Sequence, residues 1–294
     1  MHSLKIHFQE LKPALVLLYL SGVGSLCVFS VQMYLGIHFD PLVCLCFMGI
    51  VFGIYTSNRF TDATEDFTND IGRLIFFRRK KVFLFLAVAS LAMSVGILAA
   101  KANLGWFHFV LLGIGFSYSY RSIPWYSKER GFYLVRVKEM LFVKNLVVSL
   151  LWGSAVFVIP ILYSSVLIKD RFTIFLLGAG LILSTLNNTL YDDIRDEAGD
   201  RVARIKTLPT VWGARNSYLL LWGLDSLWII LVAACWIVGR IDAGHAAFLA
   251  FLGFYPLVYM GLGASEKISR HRLDVLAESD LLFFAAGLML LSLR

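Results

Sequence analysis

An all-α membrane fold, a bundle of nine transmembrane helices built from two related halves, is what this chain predicts, and three observations carry the prediction. Of its 294 residues 59% are hydrophobic and only 16% charged, with mean hydropathy +0.74. A soluble domain carries about 25% charged residues. The apolar residues come in blocks of roughly 18–24, the length that crosses a hydrocarbon core. Two short acidic stretches, 130 residues apart, repeat one pattern. No Pro/Gly/Ser-rich linker interrupts the chain, so residues 1–294 read as a single transmembrane domain.

The first apolar block, about Pro13 to Gly36, is too long for the apolar core of a signal peptide and reads as a retained span. Further spans follow at about 42–57, 82–100, 104–120, 143–163, 172–190, 217–238, 245–263 and 279–293, the last one short. Cys27, Cys44, Cys46 and Cys235 all lie in these blocks without a C-x-x-C pair. They read as small core hydrophobes, not as a zinc or disulfide framework.

The loops are charged asymmetrically. Of 27 Lys and Arg, 22 fall in the N-terminal tail and in the loops after spans 2, 4, 6 and 8. The other side holds Lys101, Lys169, Arg171, Arg240 and Arg294. The positive-inside rule places the 22 in the cytoplasm. The N-terminus and the acidic loops are therefore expected inside, in a multi-pass protein of the cell inner membrane. The formal net charge of +7 then gathers on one face, which attracts anionic lipid or an anionic substrate. No nucleic-acid partner is expected.

The acids fall mainly on the same side, and nine of them sit in two clusters. The first reads Asn58-x3-Asp62-x3-Asp66-x3-Asp70, after span 2; the second reads Asn188-x3-Asp192-x3-Asp196-x3-Asp200, after span 6. On a helix a step of four residues turns about 40° past a full turn and rises about 6 Å, so each set forms one stripe. Like charges at that spacing repel and destabilise a helix. A multivalent cation removes the repulsion. Mg²⁺ takes hard carboxylate oxygens and keeps positions open for substrate phosphates, so two facing stripes suit Mg²⁺ around a diphosphate. His is absent from both clusters, which disfavours zinc and iron, and the EF-hand spacing is missing. Only Asp225 lies deep in a span, where an acid is either a candidate functional group or a paired structural residue. A transporter would scatter ionisable groups through several spans.

These residues resemble the UbiA superfamily of intramembrane prenyltransferases. That family carries N-D-x-x-D-x-x-x-D after its second span, matched here by Asn58, Asp62 and Asp66, and D-x-x-x-D after its sixth, matched by Asp192, Asp196 and Asp200. Asn69 and Arg73 stand where the family continues with Asn and Arg. Gly199, Asp200, Thr207, Leu208, Pro209 and Gly213 follow its G-D…T-L-P…G pattern. Tyr118 falls in the family's Tyr-Ser after span 4, ahead of a basic loop holding Lys138 and Lys144. Arg59 replaces the acid of the N-D pair, and Ile71 and Leu74 replace two prolines, so the chain reads as a divergent member.

The resemblance implies transfer of a polyprenyl group from its diphosphate to a lipophilic or aromatic acceptor within the membrane, with Mg²⁺ as cofactor. Asp62, Asp66, Asp192 and Asp196 are the implied catalytic metal ligands, joined by Asp200. Asn58, Arg73, Lys138, Lys144 and Asn188 are the diphosphate candidates. Tyr118 and Tyr191 are the rings placed to face an allylic cation. A membrane-embedded terpene cyclase on the same scaffold, using the diphosphate without a second substrate, is the alternative.

Overall fold

The computed structural model describes residues 2–60, 75–101, 106–127, 131–164, 170–265 and 268–294. It is about 81% helical, with eight stretches long and apolar enough to cross a membrane. The long helices are α1 (His2–Tyr34), α2 (Pro41–Arg59), α3 (Lys80–Ala100), α4 (Trp106–Ser119), α5 (Val143–Leu162), α6 (Arg171–Arg195), α7 (Ala214–Ile237), α8 (Ala243–Ala264), α9 (Arg270–Glu278) and α10 (Asp280–Ser292). Short helices lie at Ile75–Arg78, Glu197–Val202 and Leu208–Trp212, and a 3₁₀ turn at Val137–Glu139. Strands β1 (Ile123–Ser127) and β2 (Gly131–Val135) form an antiparallel hairpin between α4 and α5.

The span expected at 104–120 corresponds to α4, whose described part begins at Trp106, next to residues 102–105, which lie outside the described residues. One expectation changes. The last span, expected to begin near 279, is continuous in composition from Arg270 to Ser292, with a break at Ser279 between α9 and α10. The charged run Arg270–Glu278 read as part of the loop after span 8. The fold gives it a partner, since Tyr191 donates to Asp274 at 2.8 Å, and Tyr259 donates to Asp280 just beyond it at 3.2 Å.

The chain forms two compact units. Met1–Ser25, Asp40–Lys144 and Asp196–Thr207 make the first; Leu26–Phe39, Asn145–Arg195 and Leu208–Arg294 make the second. In the first, α2 lies along α3. Gly49 and Gly53, one turn apart on α2, admit this approach: a Cβ on Gly49 would sit 2.9 Å from the Ser90 carbonyl oxygen. The Ser94 hydroxyl reaches the Cys46 carbonyl at 2.9 Å across the same seam. Phe76 and Leu17 centre a second cluster with Phe52, Tyr55, Phe60 and Phe83. In the second unit α6 packs on α8, which also packs on α7 and α10. Gly180 of α6 makes room: a Cβ there would lie 2.9 Å from Leu252 Cδ1 and 3.3 Å from Trp228 Cζ2. The Trp228 indole donates to the Leu249 carbonyl at 2.8 Å, so its polar end is satisfied.

Three acids on the sparsely charged side start helices. Asp40 caps α2, accepting from the Leu42 amide at 3.0 Å and pairing with Lys101. Asp170 precedes α6 and accepts from the Thr173 amide at 3.0 Å and its hydroxyl at 2.5 Å. Asp242 caps α8, accepting from the amides of Gly244 at 2.7 Å and His245 at 3.1 Å. Each carboxyl is held below its ordinary value. Burial raises Asp40 and Asp242, but the bonds and charges of Lys101 and His245, with the helix amides, outweigh it. The Thr173 hydroxyl and amide lower Asp170. A depressed carboxyl stabilises above its unfolded value, near 4, and loses that stabilisation as pH falls through the folded one. The Asp40→Asn/Asp170→Asn/Asp242→Asn variant keeps neutral caps and loses the charge. Its thermal midpoint is expected below the parent's at pH 7, the gap closing as pH drops through about 4; a gap independent of pH would refute the charge contribution.

Candidate active site

The first acidic stretch begins in the last turn of α2, where Asn58 and Arg59 stand. Asp62, Asp66 and Arg73, with Asn69 and Asp70, fall in residues 61–74, outside the described residues. The second stretch is described in full, and it is not one continuous helical stripe. Asn188 and Asp192 share a face of α6, which ends at Arg195. Asp196 leaves helical backbone (φ −96°, ψ 9°) as the residue before Glu197–Val202, and Asp200 lies on that short helix, 6% exposed. At the end of α6 the Arg270 guanidinium donates to the Arg195 carbonyl, satisfying a group the helix leaves free.

Two neighbouring acids at the end of α6 have opposite settings. Asp193 is 5% exposed and accepts from Asn145 Nδ2 at 3.0 Å, tying α6 to α5. The Asp192 side chain is 53% exposed and accepts from Arg195 at 2.7 Å. The same guanidinium lies 3.7 Å from Asp274 of α9, which also accepts the Tyr191 hydroxyl at 2.8 Å. Tyr191 is itself buried, its ring edge-on to Tyr259 at 6.4 Å. Asn188 Oδ1, one turn before Asp192, is buried and has no hydrogen-bond partner among the described residues.

Sequence reading missed Arg195, Arg270 and Asp274. Arg195 had a visible signal, its i, i+3 position from Asp192. Asp274 had none, since its partner lies 83 residues away. In the first unit, Lys138 is 4% exposed on the 3₁₀ turn. Tyr118 stands in the last turn of α4 and Lys144 in the first turn of α5, both half-buried. Among the described residues no group of three His, Cys, Asp or Glu is gathered as a metal site. The donors that are described, the Asp192 carboxylate and the Asn188 carbonyl oxygen, are hard oxygens of the kind Mg²⁺ takes.

A helical membrane protein with an acidic motif at the end of α6, repeated in sequence after α2, is the class that fold and residues define. The profile of the UbiA prenyltransferase family matches residues 23–289, and the chain belongs to that family. Among solved structures, a UbiA homologue from Archaeoglobus fulgidus bound to GPP and Mg²⁺ is similar over 97% of this chain and 99% of its own, with TM-score 0.63 and 15% identity. The same homologue bound to DMAPP and Mg²⁺ aligns over 95% and 98%, with TM-score 0.60 and 15% identity. A digeranylgeranylglyceryl phosphate synthase aligns over 98% and 99%, with TM-score 0.57 and 16% identity. No curated protein matches the sequence significantly.

Proposed function

We propose that this chain is a Mg²⁺-dependent prenyltransferase that moves a polyprenyl group from its diphosphate to a lipophilic or aromatic acceptor within the membrane. The observation that carries the reading is the setting of Asp192. It is an exposed carboxylate at the end of a membrane helix, with the Asn188 oxygen, which has no partner among the described residues, one turn before it and a guanidinium beside it. The structures of similar fold bound to GPP or DMAPP with Mg²⁺ support the substrate class and the cofactor.

In this reading Asp62, Asp66, Asp192, Asp196 and Asp200 hold the metal. Asn58, Arg73, Lys138, Lys144 and Asn188 bind the diphosphate, and Tyr118 and Tyr191 stand nearest the allylic carbon. Mg²⁺, when bound, neutralises diphosphate oxygens and so stabilises the leaving group. Arg195, already on Asp192, is a forked donor suited to phosphate oxygens. The apolar spans hold the prenyl tail and exclude water from the ionising carbon. Purified protein in lipid, incubated with labelled geranyl, farnesyl and geranylgeranyl diphosphates, with and without membrane extract, tests the reading. A prenylated product that needs the extract supports transfer; a hydrocarbon product formed without it means cyclisation.

The side carrying the 22 basic residues is proposed to face the cytoplasm. All four native cysteines are buried, so single introduced cysteines report cleanly. Ala203→Cys is expected to label from the cytoplasm and Asp242→Cys from the other side. Labelling of both from one side would overturn the topology.

A further inference from the structure

The segment between α4 and α5 carries a hairpin surface that includes none of the proposed site residues. The register of β1 and β2 puts Pro124, Leu134, Tyr126 and Phe132 on one face of the hairpin. Ile123, Val135, Trp125 and Tyr133 occupy the other. The faces differ in burial. Val135 is 7% exposed and Ile123 and Tyr133 are half-buried, while Trp125 at the same face is 45% exposed. On the first face Pro124 is exposed, and Tyr126, Phe132 and Leu134 are 59%, 84% and 51% exposed. Tyr126 and Phe132 pack on one another with ring centroids 5.1 Å apart, so they form one patch.

An isolated two-stranded hairpin is marginal in water, and an outward apolar face makes it more so. Its base is nevertheless pinned. Glu139 accepts from the Arg136 guanidinium at 2.8 Å, just after β2, and from Arg121 at 3.4 Å, just before β1. These bonds and charges outweigh burial and hold the Glu139 carboxyl below its ordinary value. The hairpin therefore has a fixed root and a bare outer face. Ile123 is four residues beyond Ser119, so β1 starts within about 14 Å of the end of α4. Beside the cations already given to Glu139 and to the diphosphate, the stretch between the two strands carries Lys128 and Arg130 against Glu129 in sequence. Aromatic residues beside basic ones at a span's end match the headgroup layer of a bilayer, where rings sit at the boundary and cations meet anionic lipid.

We propose that the Pro124/Tyr126/Phe132/Leu134 face lies in the headgroup layer of the membrane that the spans cross, held there by anionic lipid. A protein partner has less to recognise, because among these four side chains the Tyr126 hydroxyl alone is polar. The inference stands apart from the catalytic reading.

The test uses the full chain with Phe132→Cys labelled by an environment-sensitive fluorophore. Position 132 is the most exposed on the face and the native cysteines are buried, so the label reports one site without disturbing the core. Monodisperse elution confirms the fold. In phosphatidylglycerol-containing vesicles the emission is expected to shift to the blue and be quenched several-fold more by shallow spin-labelled lipid than by deep. Quenching should weaken in purely zwitterionic vesicles; equal quenching there would overturn the role of anionic lipid. Water-like emission without quenching in the anionic vesicles would overturn the membrane contact and assign the face to a protein partner.

Discussion

Asp192→Ala is expected to lower turnover of prenyl diphosphate by about 10²–10³-fold or more, the scale for removing one preorganised charge-stabilising group. Thermal stability should hardly change. The Asp192 side chain is 53% exposed and its pairing with Arg195 is a surface ion pair, worth about 0–1 kcal/mol. Arg195 keeps Asp274 within reach after the substitution. Asp193→Ala is expected to behave in the opposite way. That carboxylate is buried and accepts from Asn145 at 3.0 Å, so its removal strands a buried amide at about 1–3 kcal/mol. Turnover per folded molecule should fall far less. Labelled-diphosphate turnover and the thermal midpoint in detergent, measured on both variants, separate the roles. Full activity in Asp192→Ala would remove that residue from the metal site. Equal activity losses in the two variants would mean that both act through the position of α6.

The fold class was legible because membrane spans are written in composition: uninterrupted apolar blocks leave little choice but helix. The start of the last span was less legible. The stretch from Arg270 looked too charged, because tyrosines on α6 and α8 that bond its acids are remote in sequence. The acidic repeat located Asn188 and Asp192 on α6. It also implied one unbroken stripe, which breaks at Asp196, where Arg270 caps the Arg195 carbonyl. Periodicity cannot register such a cap, since the donor arrives from another helix. The scattered acids had a simpler explanation than function: Asp40, Asp170 and Asp242 start helices, a signal present in their positions just ahead of apolar blocks.

Asp225 is the acid that no cap explains, and its partner yields the largest expected loss of stability. Asn187 and Asp225 are both 0% exposed, and the Asn187 amide donates to Asp225 Oδ1 at 2.8 Å, joining α6 to α7 inside the second unit. Asn187 Oδ1 and Asp225 Oδ2 have no partner among the described residues. Within a bilayer no water stands ready to replace a lost partner. Asn187→Leu is therefore expected to destabilise by about 3 kcal/mol, the upper part of the range for a stranded buried polar group. Asp225→Leu strands only a neutral amide and should cost less. The informative variant is the double one. With both polar groups gone the pair becomes an apolar contact, so Asn187→Leu/Asp225→Leu should be more stable than Asn187→Leu alone. Such a reversal is coupling between neighbours. Unfolding in mixed detergent, followed by helical signal, measures all three. Additive losses would mean that the hydrogen bond contributes nothing and that shape alone matters at this seam. The consequence reaches the site, because Asn187 precedes Asn188 on α6 and lies five residues before Asp192. A shift of α6 against α7 moves both candidate ligands, so Asn187→Leu should also reduce turnover, and the double variant should recover part of it.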